Sequence, residues 1–471
     1  MKLNRQALGL LLSASSVLPL AGAAEKPLPK DLPPYGAERP IAKLDITQRT
    51  LPNGLTVWFL NRPGFPKVAS YLAVRGGNAH DPADRQGLTG FMAGLLTEGT
   101  TTRSSKQIAE ELQTIGGELD ASAGPDAVFI HGVCLSNGLA TLLQLQADVA
   151  RRPTFPANEV NLAKANTLQS LQAQEAQPAF QANRAFNATI FGSHPYRFVS
   201  ITPDLVKAVT PEDLKAIHAA RFQPSQALLV ISGDVNEGSV LKLVNAAFGD
   251  WKNAGEKLKA LPEAPKSSAH QFLLIPRPGS VQSTLRIGRP AVAATDPDYI
   301  PLQLANVILG GSFGSRIVKN IREDKGYTYS PNARAGGMQA GGSYTVRADV
   351  RTEVTAASLM EIFYELDRMG TTTVGEAELQ SAKRYMGGIY LFQNQMLRAL
   401  TGTLATYWVN GQKPEALSEF IPKVTEVKAE EIRRIGRTYF ASKDQSIVVV
   451  GDEAKAKAEL EQFGPVQILK N

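Results

Sequence analysis

Val209-Thr-Pro-Glu212-Asp-Leu214-Lys-Ala-Ile217-His-Ala-Ala-Arg-Phe222 and Val427-Lys-Ala-Glu430-Glu-Ile432-Arg-Arg-Ile435-Gly-Arg-Thr-Tyr-Phe440 align without a gap at an offset of 218 residues. The same offset carries Leu228-Leu-Val230-Ile-Ser-Gly233-Asp234 onto Ser446-Ile-Val448-Val-Val-Gly451-Asp452. A helix followed by a buried strand ending in Gly-Asp therefore closes each half of the chain. The repeating unit is about 210 residues, longer than a solenoid repeat, so two homologous domains are implied rather than an array. Between them, residues 253–268 are polar and carry Pro262 and Pro265, as a linker should.

Working outward, strand-like runs surround longer helical stretches in both halves. Thr56-Val-Trp-Phe-Leu60, residues 69–74 and Val128-Phe-Ile130 read as strands in the first; residues 272–275, 283–287 and 343–348 read as strands in the second. Helical periodicity is clearest over residues 105–115, 139–150, 159–175 and 356–369. Strands in runs with helices on one side predict an α+β protein built as two α/β sandwiches. The glycine-rich stretch 335–342 reads as a flexible turn between strands; it lacks the Lys-Ser/Thr of a phosphate loop.

The first residues set the compartment. Lys2 and Arg5 precede an uncharged run from Ala7 to Leu20, and Ala21-Gly-Ala23 supplies small residues, so residues 1–23 read as a cleavable signal peptide and the protein as periplasmic or secreted. No later stretch is long and apolar enough to span a bilayer, so no membrane insertion is expected. The formal charge is +6, or +4 without Lys2 and Arg5, and the basic residues are dispersed. No nucleic-acid partner is expected from that pattern. The single Cys134, in a strand-like run, reads as a buried residue rather than a reactive thiol.

Two motifs carry the chemistry. Gly87-Leu-Thr-Gly90-Phe-Met-Ala93-Gly94-Leu-Leu-Thr-Glu98-Gly99-Thr100 resembles the active-site helix of the pitrilysin/insulinase family of zinc peptidases, G-x-x-H-F-x-E-H-x-x-x-x-G-T. There, two His at i and i+4 bind zinc and the Glu between them takes a proton from the metal-bound water. Here Gly90, Ala93 and Gly94 occupy the three positions, and none offers a lone pair. Counting on without gaps places Ser170 at the distal ligand position and Ala163 at a second acidic one. The metal and base positions are thus substituted together, and no metal is expected on this chain. Interior glycines cost about 1 kcal/mol each against alanine, so Gly90 and Gly94 predict a flat face open to a backbone or a peptide. His194, in Gly192-Ser-His194-Pro-Tyr196, reads as a packed loop residue, not a ligand.

The second motif is intact. Leu309-Gly-Gly-Ser-Phe313-Gly-Ser315-Arg316-Ile-Val-Lys-Asn-Ile-Arg322-Glu-Asp-Lys-Gly326-Tyr-Thr-Tyr329-Ser330 is similar to the family's C-domain signature, L-G-x-x-x-x-S-R-L-x-x-x-L-R-E-x-x-G-x-x-Y-S. Ser315 is placed to cap a helix beginning near Arg316, and Gly326 to end it in a left-handed conformation. The resemblance implies that Arg322 and Tyr329 bind a substrate backbone and stabilise its tetrahedral intermediate across a chamber from the zinc. Taken alone, an Arg near a helix C-terminus and a Tyr packed in a sheet would account for both residues.

The resemblance covers nearly the whole chain after the leader. It implies a first insulinase-like domain over residues 40–252, a linker over 253–268 and a second domain over 269–471. It implies a non-catalytic subunit, similar to the alpha subunit of the mitochondrial processing peptidase. Such a subunit, inactive alone, would supply Arg322 and Tyr329 in trans to a homologous partner that carries H-x-x-E-H and the zinc. Peptide degradation or processing would be the joint activity; a peptide-binding or scaffold protein without proteolysis is the alternative.

Overall fold

A computed structural model of the chain describes residues 44–469. The leader read over residues 1–23, and the start of the first domain at residue 40, lie outside the described residues. Each half builds a six-stranded mixed sheet. The first contains β1 (Thr47–Thr50), β2 (Thr56–Asn61), β3 (Lys67–Arg75), β4 (Glu118–Ala123), β5 (Ala127–Leu135) and β6 (Ala227–Gly233), in the order β1-β2-β6-β3-β5-β4. The second contains β7 (Phe272–Pro276), β8 (Gln282–Ala291), β9 (Asn332–Gly337), β10 (Gly342–Arg351), β11 (Ser446–Gly451) and β12 (Val466–Ile468), in the order β12-β7-β11-β8-β10-β9. Apart from the edge strands β1 and β12, the two orders superpose position for position. The α+β reading with two homologous sandwiches is the observed architecture, and the helices Ser105–Thr114, Leu139–Arg151, Ala157–Glu175 and Thr355–Thr371 lie where periodicity places them.

The duplicated strands β6 and β11 are buried along their whole length. A strand covered on both faces reads as a continuous apolar run rather than an alternating one. The inner faces, with Leu229 and Ile231 in one half and Ile447 and Val449 in the other, belong to the two main cores. The outer faces are covered by an exchange. The helix Leu397–Val409 of the second half lays Leu400, Leu404 and Ala405 on Trp58, Leu228 and Val230 of the first sheet. Reciprocally, the helix Pro178–Phe191 of the first half lays Ala182, Phe186 and Ile190 on Leu273, Val448 and Val450 of the second. Leu404→Ala is therefore expected to destabilise the whole chain, not one half, by about 2–5 kcal/mol. A single shifted denaturation transition reported by probes in both halves is the check.

Polar contacts tie the halves further. The Tyr196 hydroxyl donates to Asp126 Oδ1 at 2.7 Å, while the backbone amides of Gln339 and Ala340 donate to Asp126 Oδ2 and Tyr196 Oη at 3.2 and 3.0 Å. Burial beside Asp126 pushes the Tyr196 phenol up, so it stays a donor. The glycine-rich stretch is thus the expected turn, joining β9 to β10, but it is clasped by the first half rather than free. His194 accepts from the Tyr196 amide through Nδ1 (3.2 Å), so its Nε2–H donates to the Pro262 carbonyl (3.0 Å), which pins the linker. Cys134 is buried, and burial pushes its thiol up to about 12. No helix among the described residues is long and apolar enough to cross a membrane.

Candidate functional site

Arg322 sits on a widened helical turn. Ile317 and Ile321 are fully buried and anchor the inner side of the segment. Arg316 is half-buried against Glu378 through two hydrogen bonds of 2.8 and 2.7 Å, and Asn320 donates to Glu361 and Glu365. From Val318 to Asp324 the chain is wound as a π helix, a geometry frequent at functional sites. Gly326 then closes it at φ +62°, in the expected left-handed conformation. Helical winding begins at Arg316 as expected, but Ser315 does not cap it; its hydroxyl donates to the Ser312 carbonyl at 2.6 Å.

With its scaffold fixed from within, the Arg322 guanidinium lies between two rings. Its carbon is 4.3 Å from the Phe313 ring centre and 5.0 Å from that of Tyr329. Both rings are open to solvent, Tyr329 at 80% and Phe313 at 65%, so Tyr329 is not a sheet-packing residue. Stacking orients a guanidinium without using its N–H groups. No carboxylate among the described residues pairs with Arg322. The donors face a cleft of about 600 Å³ lined by Arg322, Tyr327, Tyr329, Asp349 and Arg351. Sequence reasoning missed Phe313, because no spacing rule links it to Arg322, and missed Asp349 and Arg351, which arrive from β10.

The residues of the degenerate helix lie elsewhere and do different work. The helix is only six residues, Leu88–Ala93, and starts from Gly87 at φ +95°. Asp81 Oδ2 accepts from the amides of Gly87 and Thr89 at 2.9 and 3.1 Å, and the Thr89 hydroxyl donates to Oδ1. Asn78 Oδ1 accepts from the Gly90 amide at 2.8 Å. A Cβ on Gly90 would approach that same oxygen to 3.0 Å. Gly90 therefore faces a side chain, and Gly94 is exposed, where a Cβ would meet only its own helix's carbonyls at 3.7 and 3.8 Å. Of the small-residue face expected to be open to a backbone or a peptide, Gly90 is taken up by Asn78 and Gly94 is open. Ala93, 1% exposed, points into the core, and exposed Ser170 accepts from Gln174 Nε2 at 3.1 Å.

A zinc ion does not fit this set: two glycines, a core alanine and a serine provide no imidazole or carboxylate. Among the described residues no three His, Cys, Asp or Glu side chains group as a metal site. Gly90→His, Ala93→Glu and Gly94→His together are expected to bind no stoichiometric zinc. The His Cβ would crowd Asn78 and the Glu would enter the core, leaving its charge unpaired. Metal analysis of the purified triple variant decides this.

Residues 56–203 match the family described as insulinase (peptidase family M16), and residues 208–386 match the peptidase M16 inactive domain. The chain is 23% identical over 415 residues to the uncharacterized zinc protease YmxG of Bacillus subtilis, covering 86% of this chain and 98% of that one. An uncharacterized zinc protease of Rickettsia felis is 23% identical over 401 residues, covering 85% and 96%. The fold is that of the peptidase M16 inactive domain from Pseudomonas fluorescens, at TM-score 0.82 and 22% identity over 87% of this chain and 98% of that one. A protease from Helicobacter pylori is equally similar in fold, at TM-score 0.82 and 18% identity over 87% and 100%. This chain, with a duplicated sandwich, an intact Arg/Tyr motif and no ligand side chains on its first helix, belongs to the insulinase/pitrilysin (M16) peptidase family as a member of the non-catalytic type.

Proposed function

We propose that this protein is the non-catalytic subunit of a periplasmic heterodimeric zinc peptidase, contributing Arg322 and Tyr329 in trans to a peptide held at a partner's H-x-x-E-H site. The observation that carries the reading is the pairing of a pre-oriented, unpaired guanidinium and an exposed phenol with a helix stripped of metal donors. A peptide carbonyl turned towards the cleft would accept from the Arg322 N–H fork and the Tyr329 O–H. Both donors would strengthen their hold as the oxygen gains charge, which is the form of binding that lowers a barrier. Burial of Ile317 and Ile321 and the Arg316–Glu378 pair hold the Arg322 backbone still while this happens. Zinc, on the partner, would supply the activated water.

Metal content and peptide hydrolysis are the test. The pure chain is expected to carry no stoichiometric zinc and cleave no peptide, and activity is expected to appear only when the zinc-bearing partner is added. Zinc-dependent hydrolysis by the pure chain alone would overturn the reading.

A further inference from the structure

The two sheets share a register, so each position in the second has a counterpart in the first. Tyr71 pairs with Val230 and with His131, and His131 with Asp120. At the equivalent places Arg286 pairs with Val448 and with Arg347, and Arg347 with Asn332. In the first half this row is neutralised and covered. The Tyr71 and His131 rings stack at 5.5 Å, His131 Nε2 lies 3.3 Å from Asp120, and the helix Leu397–Val409 closes over Tyr71 at Gly402.

The second half places arginines side by side on the same face. Arg286 and Arg347 stand directly opposite, with Cβ atoms about 5 Å apart. Arg334, paired with Thr345, is the diagonal neighbour of Arg347. Arg286 is buried and held by Asn183 at 2.7 Å. Burial and the nearby Arg347 bring its guanidinium down to about 10, against the pull of Asp349. Burial and Arg334 likewise lower Arg347. Neither Arg334 nor Arg347 makes an ion pair or a side-chain hydrogen bond among the described residues, and Arg347 Nε is buried without a partner. The one carboxylate on the row, Asp349, accepts from Thr284, and Arg351 pairs with Glu353 outside it. Directly opposed like charges destabilise a sheet. Asp349 and the helix Pro178–Phe191 with its Asn183 answer Arg286, which leaves half-buried Arg347 and exposed Arg334 without a partner, open to an anion that arrives from outside.

We propose that the outer face of β10 and β9, centred on Arg334 and Arg347 beside the covered β8, is a recognition site for the acidic side chains of a peptide. The face is continuous with the cleft of Arg322 and Tyr329, because Asp349 and Arg351 line that cleft and share the outward face of β10 with Arg347. Four residues of extended chain span about 13 Å. A peptide gripped by its backbone at Arg322 would thus present a carboxylate to the arginine pair about four positions away. Two planar guanidinium forks suit a carboxylate, and Asp349 between the pair and the clamp disfavours an acid nearer the clamp.

This specificity rests on the reading of Arg322 and Tyr329 as a backbone clamp, but binding by the isolated full chain does not need the partner. The probe is a labelled, extended Ser/Ala peptide with two Glu, compared with the same peptide carrying Gln. The Glu peptide is expected to bind about 10- to 100-fold more tightly, and high salt to erase the difference. Arg334→Gln with Arg347→Gln should abolish the preference, leave affinity for the Gln peptide unchanged and melt no lower than the wild type. Independently of any variant, the Glu peptide and not the Gln peptide should raise the wild-type melting temperature. Equal affinity for the two peptides, or a preference that survives the double variant, overturns the proposal, as does tighter binding of inorganic phosphate or a short oligonucleotide than of the Glu peptide. Arg322→Ala should weaken both peptides alike. If it weakens neither while the Glu preference persists, the clamp fails and the arginine pair stands.

Discussion

Alanine at Arg322 is expected to lower peptide turnover by the assembled peptidase about 100- to 1,000-fold, the usual loss when one preorganised donor to a developing oxyanion is removed. Assembly should be unaffected, because the residues that hold the segment in place are Ile317, Ile321 and Arg316, not Arg322 itself. Lysine at the same position should restore little, since a point charge cannot stack between Phe313 and Tyr329 or present a fork. Tyr329→Phe keeps the ring beside the guanidinium and removes only the hydroxyl, so its deficit reports the phenol donor alone. The loss should fall on kcat more than on KM if the donors act on the intermediate. An unchanged rate with Arg322→Ala would leave the motif without a chemical role.

The largest stability effect is expected at Asp148. Its side chain is fully buried and accepts from the hydroxyls of Thr100 and Thr102 at 2.6 Å each, from Arg103 at 3.0 Å and from Arg152 at 2.8 Å. Thr100 belongs to the Gly-Thr pair that ends the degenerate signature, so this remnant of the motif now serves as an anchor for the turn. Asp148→Ala strips four donors of their acceptor and leaves a part-buried Arg103 short of a partner, at a cost of about 3–5 kcal/mol. Burial pushes this carboxyl up, yet the hydroxyl donors and the two arginines outweigh it and hold it below its ordinary value of 3.8. A depressed value means the stabilisation is complete above that ordinary value and is lost as pH falls through the folded one. Acid unfolding below about pH 4 should therefore be steeper for the wild type than for Asp148→Asn, and denaturant titrations across that window measure the difference.

Much of this molecule is legible in the chain, and what is not has identifiable physical causes. The duplicated helix and strand show the internal symmetry because β6 and β11 are covered on both faces, which leaves an unmistakable apolar run. The same periodicity does not reveal that Leu400 and Leu404 cover the other half's sheet; an apolar stripe states that a face is buried, not against what. The absence of donors at Gly90, Ala93 and Gly94 is a matter of residue type and needs no structure. The shape of that helix does, since the groups that shorten and cap it, Asn78 and Asp81, sit on a preceding loop. Arg322 and Tyr329 are brought together as their motif implies. Phe313 was invisible because its role depends on how the turn folds back across the guanidinium. The alternation Arg347-Ala-Asp349-Val-Arg351 is visible as strand patterning, but only the register sets Arg286 opposite Arg347.

If this chain completes another's active site, as proposed, affinity purification of the tagged protein from its own host tests it most directly. Mass spectrometry of the eluate is expected to identify, at one-to-one stoichiometry, a homologous chain that carries H-x-x-E-H and lacks the Arg/Tyr pair. Recovery of the protein alone, or in an assembly without such a chain, would contradict a split-site peptidase and point to a peptide-binding or scaffold role.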